Sequence, residues 1–177
     1  MRVIAGEFRS RRLKSLPGLN TRPTPDRLRE TLFNILSPRM EGCAFVDAYA
    51  GTGAVGIEAL SRGARRAVFI DRSRAAVEVI RENLASLGLT GRSEVFTGKT
   101  LAVLERVDAD IVFLDPPYEM EKEYKDALGL LGSCDAAGLV IAQHAAKVEL
   151  AGSYGNLHKY RALKQGDNSL SFYELFH

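Results

Sequence analysis

From Ala44 onward short, apolar runs of strand length alternate with stretches that show the 3.6-residue period of helices, with short connections throughout. Strands are expected at Ala44-Phe45-Val46, Ala67-Val68-Phe69-Ile70, near residues 93–96, at Asp110 to Leu114 and at Gly138 to Ala142. Helices fall between them, over 54–62, 73–87, 100–106 and 121–131. In the second of these, Val77, Ile80, Leu84 and Leu87 share one side. Such alternation permits little besides a parallel sheet covered on both faces. The tail changes character: His158 to Leu163 and Leu170 to Phe176 flank Gly166-Asp167-Asn168 with no room for a helix. These two segments should close the sheet as an antiparallel hairpin. The expected fold is a single Rossmann-like α/β domain with a mostly parallel seven-stranded sheet.

At 177 residues the chain suits one domain with a full core. Cys43 and Cys134 have no pairing framework or metal-ligand spacing around them, so reduced thiols, no metal and a cytoplasmic setting are expected. No leader and no membrane span are expected. The net charge of +2 conceals an asymmetry. Residues 1–40 hold nine basic side chains against three acidic ones, a net +6 that leaves −4 on the rest. Eight of the nine are arginine, the residue suited to bidentate phosphate contact. Arg2, Arg9, Arg11, Arg12, Lys14, Arg22, Arg27 and Arg29 are therefore candidates for holding a nucleic acid; a solvated basic surface is the alternative.

Residues 1–40 are expected to form an extension to the sheet domain over 41–177. Short apolar pieces with a turn at Gly6 suggest a hairpin or arm, removable without taking a sheet strand. A helix should follow Thr24-Pro25, with Thr24 as cap, and stop at Ser37-Pro38. Leu28, Leu32, Ile35 and Leu36 form its buried stripe. Phe33 lies on the opposite face, as an apolar wall near the cofactor or target base, or else buried beneath the arm.

The apolar run Ile111-Val112-Phe113-Leu114 stops abruptly at Asp115-Pro116-Pro117-Tyr118. The prolines carry no N–H and fix φ, so a carboxylate, outward carbonyls and an aromatic plate can gather at the strand's end. That set suits a planar base bearing an amino group; an unoccupied turn is the plain alternative.

A second signal follows the first strand. Gly51, Gly53 and Gly56 match G-x-G-x-x-G at a strand-to-helix turn, with Asp71 ending the second strand. Taken alone this spells NAD, but S-adenosylmethionine also carries an adenosine ribose that Asp71 would hold. Asp47, just before the glycines, suits an ammonium or sulfonium better than a pyrophosphate, and no second domain to hold a hydride acceptor is expected. The expected cofactor is S-adenosylmethionine. Its contacts would be Asp47, Ala50, Gly51, Thr52, Gly53 and Gly56 in the turn, Asp71 and Arg72 after the second strand, and Gly98 and Thr100 after the third.

Arg22-Pro23-Thr24, Arg29-Glu30, Leu32-Phe33-Asn34, the block from Ala50 to Ala64, Asp115 to Tyr118, and Gly166-Asp167 with Leu170 and Tyr173 together resemble the bacterial 16S ribosomal RNA guanine-N2 methyltransferases. The Asp/Asn-Pro-Pro-aromatic motif alone is shared with adenine-N6 and other amino-group methyltransferases; the Arg-Pro-Thr helix is the more specific part. The resemblance implies a class I S-adenosylmethionine-dependent enzyme, active as a monomer on ribosomal RNA or the assembling small subunit. Asp115 and the Pro116 carbonyl would accept the guanine amino hydrogens, and Tyr118 beside Pro117 would stack on the base. Two positions depart from that family. Gly98-Lys99-Thr100 lacks the usual acid for the adenine, and Gln143-His144 stands where Glu-His is common. His144 is expected to be a satisfied strand-end histidine.

Overall fold

The computed structural model describes residues 1–17, 24–117 and 120–176. Among the described residues, five α-helices, α1 (Asp26–Met40), α2 (Ala54–Ser61), α3 (Arg74–Ser86), α4 (Thr100–Leu104) and α5 (Glu121–Cys134), and one 3-10 turn (Thr90–Arg92) surround one sheet. Its strands are β1 (Ala44–Asp47), β2 (Arg66–Asp71), β3 (Ser93–Thr97), β4 (Ala109–Leu114), β5 (Ala137–Ala145), β6 (Ser153–Tyr154), β7 (Leu157–Gln165) and β8 (Asn168–Leu175). They lie in the order β3-β2-β1-β4-β5-β8-β7-β6. β1 to β5 run parallel, and β8, β7 and β6 are antiparallel additions. The expected seven strands are all present. The eighth, β6, is a two-residue edge strand too short to show any period in sequence.

Because the inner strands are covered on both sides, successive residues enter different cores. Phe45, Phe69, Phe113 and Ile141 pack with α1, α2 and α3. Val46, Val68, Val112, Leu114 and Val140 pack with α4 and α5. The chain order reverses between β1 and β4, so their carboxyl ends form the switch point at which open α/β sheets bind ligands.

The helix before the sheet differs from expectation at both ends. α1 begins at Asp26 behind Pro25, without a side-chain cap, and continues through Pro38 to Met40. A proline in the last turn removes one hydrogen bond; burial of Met40 at 2% exposure holds the turn in place.

The arm is a hairpin, as expected: Val3 N–H donates to Arg11 O at 3.0 Å and Leu13 N–H to Met1 O at 2.9 Å. It is not a loose extension. Val3 and Leu13 are buried in the same core as α1 and β1. Glu58 of α2, wholly buried, accepts the Ile4 and Ala5 N–H groups at 2.9 and 3.0 Å. Asn83 of α3 accepts Lys14 N–H at 2.7 Å.

Candidate active site

The turn after β1 has the conformation its glycines require. Gly51 and Gly53 sit at φ +59° and +84°, the left-handed region that favours glycine. At Gly56 a Cβ would lie 2.3 Å from the Phe69 ring, so that glycine allows α2 to rest on β2. Ala50 N–H donates to Ile70 O at 2.9 Å, joining the turn to β2. Asp71 stands at the turn's edge, half-buried, its carboxylate accepting Gly51 N–H and Ser73 N–H, both at 2.9 Å. Thr52 is half-buried, and its carbonyl accepts from Asn83, which also bonds Lys14; the arm and the glycine turn thus share one side chain.

Asp47 is 2% exposed and accepts Gly56 N–H at 2.9 Å. Burial pushes its carboxyl up to about 8; the Gly56 N–H opposes this, and the neighbouring charges of Asp115 and Asp71 add to it. Three carboxyl groups therefore converge on the ends of β1, β2 and β4.

Asp115 follows β4 directly and is half-buried, with Pro116 buried and Pro117 exposed. Burial raises it to about 7, and a hydrogen bond from the Thr24 hydroxyl works the other way. Thr24 thus caps no helix; its hydroxyl instead lies on the carboxylate's side, where it favours the ionised form. That role is invisible in sequence because the two residues lie 91 positions apart. The Pro117 carbonyl accepts Met120 N–H at 2.9 Å, folding the chain back at once into α5. Tyr118 and Arg22 lie outside the described residues.

Other expectations change. Arg29 is fully buried: its Nη2 donates to Arg2 O at 2.7 Å and to Asp26 at 3.1 Å, and its Nε lies 3.9 Å from Glu58. It joins arm, α1 and α2 and cannot reach an RNA phosphate. Phe33 is also fully buried, 6.0 Å from the Phe45 ring with the Arg62 guanidinium over its face; it belongs to the core, not to a cofactor wall. Thr100 is buried and gives its hydroxyl hydrogen to Ala48 O at 2.7 Å, so it secures the end of β1. An adenine amino group would have to be met by backbone, with half-buried Gly98 at the rim. Arg72 is exposed and reaches Met120 at 3.8 Å. Arg2, Arg9, Arg11, Arg12, Lys14 and Arg27 are exposed, although Lys14 is paired with Glu82 at 2.6 Å. His144 is satisfied as expected: Nε2 is 2.8 Å from Ser171 Oγ, and Nδ1 is 2.9 Å from Ala145 O. Tyr49, unremarked in sequence, donates to Glu123 at 2.6 Å and ties the glycine turn to α5.

The donor set fits a cationic nucleoside cofactor. Asp71 can accept from a ribose diol, the glycine turn gives close backbone approach, and Asp47 with Asp115 would attract a sulfonium or ammonium and repel a pyrophosphate. Replacing Asp71 by alanine should weaken binding of S-adenosylmethionine, measured by calorimetry, by about tenfold or more, through loss of a charge-assisted contact and release of Gly51 N–H. An unchanged affinity would remove Asp71 from the site.

Sheet order, glycine turn and the Asp-Pro-Pro stop define the class I methyltransferase fold. The chain belongs to the family described as Conserved hypothetical protein 95, whose model matches residues 1–174. It is 35% identical over 182 residues to the Bacillus subtilis protein named "Putative rRNA methyltransferase YlbH", covering 98% of each chain. Ribosomal RNA small subunit methyltransferase D of Escherichia coli K12 is 40% identical over 120 residues, which span 67% of this chain and 60% of that one. Among solved structures, "Putative methyltransferase yhhF from Escherichia coli" superposes with a TM-score of 0.87 at 32% identity, covering 99% of this chain and 97% of the other.

Proposed function

We propose that this protein is an S-adenosylmethionine-dependent enzyme that methylates small-subunit ribosomal RNA at the exocyclic N2 of a guanine. The observation that carries this reading is the Asp115 carboxylate at the end of β4, next to β1 at the switch point and close enough to Asp47 for their charges to interact. The relatives' names support ribosomal RNA as substrate. Asp-Pro-Pro is also compatible with adenine-N6 transfer, and the product separates the two.

The cofactor would supply a methyl group already activated on a sulfonium, so the chain must mainly position and stabilise charge. Asp47, the glycine turn and Asp71 would hold the donor. Asp115 would accept an amino hydrogen of the target base, localise the nitrogen lone pair, and take the proton released once nitrogen has bonded to carbon. Holding the two atoms in line can supply roughly 7 to 11 kcal/mol of the barrier reduction in favourable cases. The target base would be turned out of its helix to reach this edge, with Tyr118 as the proposed stacking partner.

The test is incubation with labelled S-adenosylmethionine and total RNA from undermethylated cells, followed by nucleoside analysis. N2-methylguanine is expected. N6-methyladenine would move the protein to the neighbouring class, and no incorporation would leave it as an RNA-binding relic.

The exposed arm arginines are proposed to track the RNA backbone. Arg9 and Arg12 are exposed and in no ion pair among the described residues. Replacing both with glutamine should leave the fold intact and make the slope of log K against log salt shallower by about 1.4, at about 0.7 per single-stranded phosphate contact. Equal slopes for the two proteins would take the arm out of the RNA surface and leave that role to Arg27 and Arg22.

A further inference from the structure

β5 ends beside the accepting carboxylate. Leu114 pairs with Ala142, so the residues that follow, Asp115 and Gln143, are neighbours. Strand alternation places both on the face that carries Phe113, Ile141 and α1. Gln143 is 6% exposed, and its Oε1 is buried with no hydrogen-bond partner among the described residues. Its backbone carbonyl, by contrast, accepts the Tyr124 hydroxyl at 2.5 Å, and His144 on the opposite face has both ring nitrogens engaged. The unfilled acceptor is thus confined to the side of the strand that bears Asp115. Buried polar atoms are rarely left unpaired unless something other than folding uses them.

An empty acceptor next to an acceptor for an amine calls for a ligand that presents two donors in a row. Guanine does so, because ring N1–H adjoins the carbon that bears N2. In adenine and cytosine the ring nitrogen beside the amine-bearing carbon is a bare acceptor, which would set one lone pair against another. We infer that Gln143 Oε1 accepts the N1–H of the target guanine while Asp115 accepts from N2, so that Gln143 is a specificity-determining residue. The inference rests on the guanine reading above and sharpens it.

The experiment uses a small-subunit RNA fragment carrying the mapped position, made either with guanosine there or with 2-aminopurine riboside. The analogue keeps the 2-amino group and lacks N1–H. Wild-type enzyme should prefer guanosine in kcat/KM by on the order of 10- to 100-fold. Gln143→Leu should bring the two substrates within a few-fold of each other while S-adenosylmethionine affinity and melting temperature stay unchanged. Gln143→Glu, which keeps an acceptor, should retain the preference. Should the leucine variant fail to fold, Gln143→Met, unbranched and of similar length, carries the same comparison. An unchanged ratio in a folded, cofactor-binding variant overturns the inference while N2-methylguanine remains the wild-type product. A different wild-type product overturns the base assignment and this inference with it.

Discussion

Asp115→Ala is expected to lower kcat by on the order of 10²- to 10³-fold, the range for loss of one preorganised electrostatic group, with affinity for S-adenosylmethionine nearly unchanged. In the proposed function the carboxylate would meet the accepting amine, while the donor would be held by the turn after β1 and by Asp71, which accepts Gly51 N–H. A pH profile gives the same group a second test. Burial raises Asp115 to about 7, against the Thr24 hydroxyl, and only the ionised form can take the amine's proton. Below about pH 7 kcat should therefore fall by up to about tenfold per pH unit, and above it level off. Asp115→Asn keeps an acceptor oxygen without a titration, so its residual activity should lack that limb. A wild-type profile that stays flat down to pH 5.5 would end the proposed role. Stability has the opposite sense. Asp115 and Asp47, raised to about 7 and about 8, hold protons in the folded chain that the unfolded chain has already released. Their stabilising contribution is complete below about pH 4 and is lost as pH rises through 7 to 8.

Deleting residues 1–14 should destabilise the protein severely. The cut removes Val3 and Leu13 from the core, at about 1.5–3 kcal/mol each. It also takes backbone partners from Glu58, Asn83 and Arg29, at about 1–3 kcal/mol for each group left buried and unsatisfied. The total, about 6 kcal/mol or more, rivals the whole stability of an ordinary domain. If the truncated chain folds at all, its melting temperature should drop by at least about 10 °C, followed by circular dichroism. A drop of under about 3 °C would show the arm to be a true appendage. The same contacts place the arm beside the glycine turn through Asn83, so, on the proposed function, the shortened protein should also bind S-adenosylmethionine more weakly.

Local pattern determined much of this molecule. Hydrophobic pattern placed all five α-helices and, among the described residues, all strands but β6, because a strand buried on both faces and a helix with one apolar stripe write their burial directly into sequence. Positive-φ turns required the glycines at 51 and 53, and two prolines stopped β4 before Asp115, so the framework of the candidate site was legible as well. Charge was read less well. Arg29 looks like its exposed neighbours in sequence, yet it is buried because Glu58 and the Arg2 carbonyl come to it from α2 and the arm. Glu58 itself left one signal, a lone acid in the apolar stretch of α2. Phe33 seemed misplaced on a polar face only because the elements that cover it, β1 and Arg62, are distant in sequence. Composition and period thus determined which segments are helices and strands and where the glycine turn lies. Only the tertiary structure decided that Thr24 lies near Asp115, that the arm is part of the core, and that Gln143 Oε1 has no hydrogen-bond partner among the described residues. Each of those facts depends on groups far apart in the chain, whose meeting is set by sheet order and packing rather than by any local preference.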